Sequence, residues 1–143
     1  MCRLFGLTAG PGQVHAKFWL LTAPDSMEHE GRRNPDGAGI GWFDRDATPH
    51  LQKQAGPAPE DQDFLAHAAT VTASTVVTHV RDATAGSRDV RNTHPFLVDG
   101  LLVAHNGGFG DLAAVDAHLG DYLRFVQGET DSERYAALIA KEA

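Results

Sequence analysis

The stretch Ala38-Gly39-Ile40-Gly41-Trp42-Phe43 constrains this chain more than any other. Side chains on a β-strand alternate between its two faces. Glycines that alternate with larger residues therefore read as a strand that another backbone approaches closely. The preceding Asn34-Pro35-Asp36-Gly37 is dense in turn formers and opens into that strand. Ser74 to Arg81 is the clearest strand of all, rich in β-branched Thr and Val. Arg3 to Leu7 is a short apolar strand closed by Gly10-Pro11-Gly12. Phe96-Leu97-Val98 and Leu101 to His105 flank Asp99-Gly100 and predict a tight hairpin, broken by Asn106-Gly107-Gly108.

Helical signals separate the strands. Val14, Phe18 and Leu21 recur at helical spacing and predict a helix from Val14 to Ala23, ended by Pro24. Pro59-Glu60-Asp61 opens a second helix, running to about Ala69, with Pro and acids in its first turn. Asp111 to Leu119 predicts a third, and Gly128 to Glu133 leads into a last one over Tyr135 to Lys141. Thr48 to Pro59 is polar and Pro-rich, as in an exposed hairpin and connector. Asp82 to Asn92 is a polar loop. The pattern is α+β, and 143 residues without repeat or linker suit one domain.

Composition narrows the functions. The net charge of −7 comes without a basic run, so the electrostatic footprint of nucleic-acid binding is missing. No apolar stretch reaches membrane-spanning length. Eight His residues lack a Cys/His framework of zinc-site spacing, so no metal is expected. The single cysteine cannot form an internal disulfide, which fits a reducing, cytosolic compartment.

That cysteine is Cys2, directly behind the initiator Met1. Aminopeptidases remove Met when the next residue is small. The chain would then begin with an α-amine and a thiol on one residue. The α-amine, with an ordinary pKa of about 7.7–8.0, can act as the thiol's base directly or through a water. Position alone favours a plain strand cysteine; the motifs downstream reverse that reading.

Those motifs are Cys2-Arg3-Leu4-Phe5-Gly6, Asn34-Pro35-Asp36-Gly37-Ala38-Gly39, His79-Val80-Arg81-Asp82-Ala83-Thr84, Asn92-Thr93-His94-Pro95-Phe96, Ala104-His105-Asn106-Gly107 and Glu129-Thr130-Asp131-Ser132-Glu133. In this order the chain resembles the class II glutamine amidotransferases, the N-terminal-nucleophile glutaminases, and is most similar to their short stand-alone members. The resemblance implies a four-layer αββα sandwich of mainly antiparallel sheets. It implies Cys2 as the nucleophile on the glutamine side-chain amide. Arg81 would hold the substrate α-carboxylate and Asp131 its α-ammonium. Asn106, by its side-chain amide, and Gly107, by its backbone N–H, would form the oxyanion hole. A γ-glutamyl thioester would form, ammonia would leave, and water would release glutamate, with no cofactor.

Each role has a plainer rival. Arg81 reads equally as a structural salt bridge and Asn106-Gly107 as a simple turn. Thr130-x-x-Glu133 is a capping-box pattern, which makes Asp131 a first-turn acid. His79, His94 and His105 read as satisfied core histidines, and Asp36-Gly37 as a turn shaping the pocket wall. Asp82 and Ala85 stand where biosynthetic members carry an aromatic residue and a His. Family domains also continue with further strands past the Thr-Asp-Ser-Glu helix. Residues 1–143 are therefore expected to be a glutaminase domain cut short there, with a second sheet poor in strands and a tendency to associate with copies or partners. Three functions stay open: a glutaminase that makes glutamate or feeds ammonia to a partner protein, a hydrolase of another γ-glutamyl amide, or an idle binding member.

Overall fold

The computed structural model describes residues 1–143. In chain order come β1 (Arg3–Thr8), β2 (Val14–His15), α1 (Met27–Gly31), β3 (Gly37–Phe43) and β4 (Pro49–Gln54). Then come α2 (Gln62–Thr70), β5 (Thr72–Ala73), β6 (Thr75–Arg81), β7 (Phe96–Val98), β8 (Leu101–Val103), α3 (Leu112–Leu119) and α4 (Asp131–Glu142). The main sheet is antiparallel in the order β1-β6-β3-β4. β7 and β8 form a separate antiparallel hairpin, and β2 pairs with β5.

Strand alternation sorts the main sheet into two faces. Ala38 and Ile40 of β3 and Val76 and Val80 of β6 pack with Leu20, Met27, Phe64 and Ala68 in a core under α1 and α2. Fully burying a side chain such as Ile40 or Phe64 is worth about 1.5–3 kcal/mol, so this core carries most of the fold. The opposite face of β3 is the bare one. A Cβ on Gly39 would lie 2.9 Å from Lys53 Cβ and 3.0 Å from Pro95 Cδ, and one on Gly41 2.8 Å from Leu102. The glycines thus admit the backbone before β7 and the β8 side chains, the close approach expected from their spacing. Behind the hairpin, Phe96 and Val98 pack on Ala136 and Ala140 of α4. The layers run helices, four-stranded sheet, two-stranded sheet, helices.

Three local differences from the sequence expectations have physical reasons. The helix expected over Val14–Ala23 shrinks to one π-turn at Phe18–Thr22, because Val14 and His15 are taken by pairing with Ala73 and Thr72. Of the exposed hairpin and connector expected over Thr48 to Pro59, Pro49–Gln54 do form a hairpin strand, but a half-buried one: they pair with β3 throughout, and His50 stacks on Trp42 at 5.1 Å. The last helix starts at Asp131, one turn before Tyr135, with Thr130 as its N-cap.

Candidate active site

β1 and β6 bring the site together. Their register, Arg3 opposite Val80 and Leu4 opposite His79, sets Cys2 beside the end of β6. Alternation turns His79 and Arg81 toward the second sheet. There the chain leaves β8 through Asn106-Gly107, and α4 presents its N-terminus. Cys2, Arg81, Asn106, Gly107 and Asp131 all line one cavity of about 390 Å³, within the usual range for small-molecule sites, roughly 300–1,000 Å³.

The sulfur of Cys2 accepts the backbone N–H of Asp82 at 3.2 Å and lies 3.4 Å from the Asp82 carbonyl oxygen. Met1 stands 88% exposed at the rim, its ammonium paired with the Asp82 carboxylate. Arg3 steadies this segment by donating to the Met1 and Cys2 carbonyls at 3.1 and 3.2 Å, while its Nε pairs with Glu30 at 3.2 Å.

Arg81 is only 3% exposed, yet it has no carboxylate partner. Its guanidinium donates to the carbonyls of Ser87 at 2.9 Å and Ala85 at 2.6 Å. Arg3, Arg32, Arg88, Arg91 and Arg134 all find carboxylates. A buried cation facing only neutral oxygens on the wall of a cavity is a natural anion acceptor.

The loop over Arg81 is tied from three sides. Asp36 accepts the Ala83 N–H at 2.9 Å and the Arg88 Nε at 2.9 Å, and these two bonds hold its carboxyl below the ordinary value. Glu129 accepts the Ser87 N–H and hydroxyl at 2.8 and 2.9 Å, which lowers its own pKa in the same way. Buried Asn92 donates to the Ser87 carbonyl at 3.1 Å and accepts the Glu129 N–H at 2.8 Å. Asp36, expected to shape the pocket wall, does not line the cavity itself; it reaches the wall only through the N–H of Ala83. Asn92 and Glu129 each belong to one of the ordered motifs, but spacing assigns them no partners.

Asn106 donates from Nδ2 to the Cys2 carbonyl at 3.4 Å, and its Oδ1 is 2.8 Å from Nε2 of His79. A Cβ on Gly107 would lie 2.7 Å from Nε2 of His105, so no larger residue fits beside that ring. The His105 Nδ1 contacts the Ser132 hydroxyl at 3.1 Å. His79 and His94 pack against each other, tilted by 33°, with centroids 4.2 Å apart. Burial, the largest cause for both, pushes His79 down to about 4 and His94 down to about 2. Of the three expected core histidines, His79 and His94 are buried but not fully satisfied, and His105 is only half-buried. Neither ring nitrogen of His94, and not the Nδ1 of His79, has a hydrogen-bond partner.

Asp131 has structural work of its own. Its Oδ1 accepts the Ser132 N–H at 2.8 Å and its Oδ2 the Phe109 N–H at 2.9 Å, which anchors the loop after Gly107. A carboxylate offers about four acceptor positions, so a cation can still bind. Thr130 caps α4 through the Glu133 N–H at 3.3 Å. Glu133 does not close the capping box on Thr130; it accepts the N–H groups of Gln127 and Gly128 at 2.9 and 2.6 Å.

The family described as glutamine amidotransferases class-II matches residues 1–141. The probable glutamine amidotransferase DUG3 of Saccharomyces cerevisiae is 34% identical over 83% of this chain and 40% of its own length. The gamma-glutamyl-hercynylcysteine sulfoxide hydrolase of Mycobacterium tuberculosis is 37% identical over 59% of this chain and 36% of its own. Among solved structures, a glutamine aminotransferase class-II domain protein from Silicibacter pomeroyi superposes with a TM-score of 0.53 at 25% identity. That match covers 76% of this chain and 48% of the other. The chain spans less than half the length of each of these relatives.

Proposed function

The chain belongs to the class II glutamine amidotransferases, and on that premise we propose that it hydrolyses the side-chain amide of glutamine through Cys2. The observation that carries the proposal is Arg81: a buried guanidinium without a counter-ion, on the wall of the cavity that holds the only thiol. Such a cation fits the α-carboxylate of an amino acid substrate. Asp131, across the cavity, fits the α-ammonium.

The chemistry follows from the order of these groups. Removal of Met1 clears the rim and leaves the α-amine on Cys2, on the same residue as the thiol it deprotonates. The sulfur adds to the amide carbon, and the oxyanion is held by Asn106 Nδ2 and the Gly107 N–H. One such donor is typically worth about 2.7–4 kcal/mol in the transition state. The leaving nitrogen takes the proton from the α-ammonium and departs as ammonia. Water then adds to the γ-glutamyl thioester, and glutamate leaves as the thiol re-forms. Every proton is returned, and no cofactor enters the sequence. Ammonia is then released or passed to an acceptor, in a cytosolic setting. Residues 1–143 form the glutaminase unit in this reading.

A second reading, hydrolysis of a larger γ-glutamyl amide, is favoured by one feature. Ala83 and Ala85 are small residues among those lining the cavity that holds Cys2 and Arg81, which suits a substrate larger than glutamine. Glutamate release from a panel of γ-glutamyl amides, glutamine included, tests both. Turnover of glutamine supports the first reading, turnover of bulkier amides alone supports the second, and no turnover of any amide overturns both.

A further inference from the structure

The two ends of an asparagine amide have the same shape and opposite chemistry. Only the Nδ2 end of Asn106 can donate to an oxyanion at Cys2; the Oδ1 end would repel it. The Nδ2 contact to the Cys2 carbonyl is long, 3.4 Å, and Asn106 itself is exposed, so this contact alone fixes the amide weakly. We propose that His79 is a positioning residue that sets the orientation of Asn106, by donating Nε2–H to Oδ1 and thereby turning Nδ2 toward Cys2. The proposal rests on Cys2 as nucleophile and Asn106 as oxyanion donor.

Three observations hold His79 to this task. Its ring is fully buried on β6, a strand paired on both sides, so its Cα cannot drift. The His94 ring packs against it, tilted by 33° with centroids 4.2 Å apart, and restricts its rotation. Its tautomer is biased from both ends. A proton on Nδ1 would be a buried donor without any acceptor, since that atom has no partner. It would also leave Nε2 bare, and Asn106 would turn Nδ2 toward it and aim Oδ1 at the Cys2 carbonyl oxygen, two acceptors facing each other. The proton on Nε2 avoids both. Arg81 lies two residues along the same strand face. One rigid element would then position both the substrate carboxylate and the oxyanion donor.

The test is steady-state kinetics on glutamine with four variants. His79→Phe keeps the ring shape and removes the donor. It should lower kcat by roughly 10- to 100-fold, less than or equal to the loss for deleting an oxyanion donor, while KM moves by no more than about threefold. His79→Gln, whose amide can again donate to Oδ1, should recover most of the loss. Asn106→Ala should be as slow as or slower than His79→Phe, and adding His79→Phe to Asn106→Ala should cost less than about twofold more, because there is no amide left to orient. Wild-type kcat in His79→Phe, a change confined to KM, or equal losses in His79→Phe and His79→Gln would overturn the proposal. Imidazole nitrogen NMR on the wild-type protein supplies the arm that needs no variant to fold: an Nε2–H tautomer at His79 supports it and an Nδ1–H tautomer refutes it. If the wild-type protein hydrolyses no γ-glutamyl amide, the functional reading falls, while the tautomer still decides the His79–Asn106 geometry.

Discussion

Lowering the pH from 7 to 5 should remove about 4 kcal/mol of folding stability through two residues, His79 and His94. Both are buried beneath the second sheet. An unfolded histidine titrates near 6.5, whereas burial holds the folded values at about 4 and about 2. Between those values and 6.5 the unfolded chain binds more protons than the folded one, so stability falls as pH falls. At pH 5 the unfolded chain carries nearly two more protons on this pair. Integrated from pH 7, each histidine contributes about 2 kcal/mol of the loss. Against a typical total of roughly 5–15 kcal/mol, that is a large share. Urea unfolding at pH 7, 6 and 5, with a constant m-value, reads it directly. His79→Gln and His94→Gln should each remove about half of the pH dependence. If the wild-type protein and either variant show the same slope, the rings are hydrated or paired in the folded state, and the reasoning from burial fails.

Other substitutions separate structure from binding. Arg81→Met should raise the KM for glutamine by roughly 10- to 150-fold, the equivalent of one lost charge-assisted contact of about 1.5–3 kcal/mol; an unchanged KM would remove Arg81 from substrate binding. Thr130→Ala should cost about 1 kcal/mol in thermal melting as a lost N-cap and leave KM unchanged. Asp131→Asn should cost about 1 kcal/mol as well, since one of the Phe109 and Ser132 N–H groups loses its acceptor, but it alone of the two should raise KM. Gly39→Ala should destabilise by about 1–3 kcal/mol through overpacking against the His94 carbonyl and Pro95, and a melting temperature equal to wild type would refute the tight contact at the backbone before β7.

Much of this was legible in the chain because the signals were local. The alternating glycines of β3 announced a close neighbour, and the β-branched run of β6 a central strand. Asp99-Gly100 marked the hairpin, and Thr130-x-x-Glu133 a capping pattern ahead of α4, although the helix itself was expected only from Tyr135. What escaped depended on partners far away in sequence. β4 is polar, with His50, Gln52, Lys53 and Gln54, and becomes a strand only by pairing with β3. Val14 stands at helical spacing from Phe18 and Leu21, but Thr72 and Ala73 claim it and His15 for a strand pair. α1 has five residues, too short for a periodic signal. For the site, Cys2, Arg81, Asn106, Gly107 and Asp131 were named through the resemblance of the ordered motifs to a known family, and the structure brings these five to one cavity. The supporting contacts, such as Asn92 to Ser87 and Glu129, or His79 to Asn106, span up to 37 residues and leave no mark on local spacing.

The central claim is that Cys2, freed of Met1, forms a thioester with the γ-glutamyl group. Intact-mass and peptide spectrometry of active protein, acid-quenched during turnover of glutamine, tests it most directly. The account predicts a chain that begins at Cys2 and a γ-glutamyl adduct confined to the N-terminal peptide, absent in Cys2→Ala. An active chain that keeps Met1, or an adduct carried on any other residue, would contradict it.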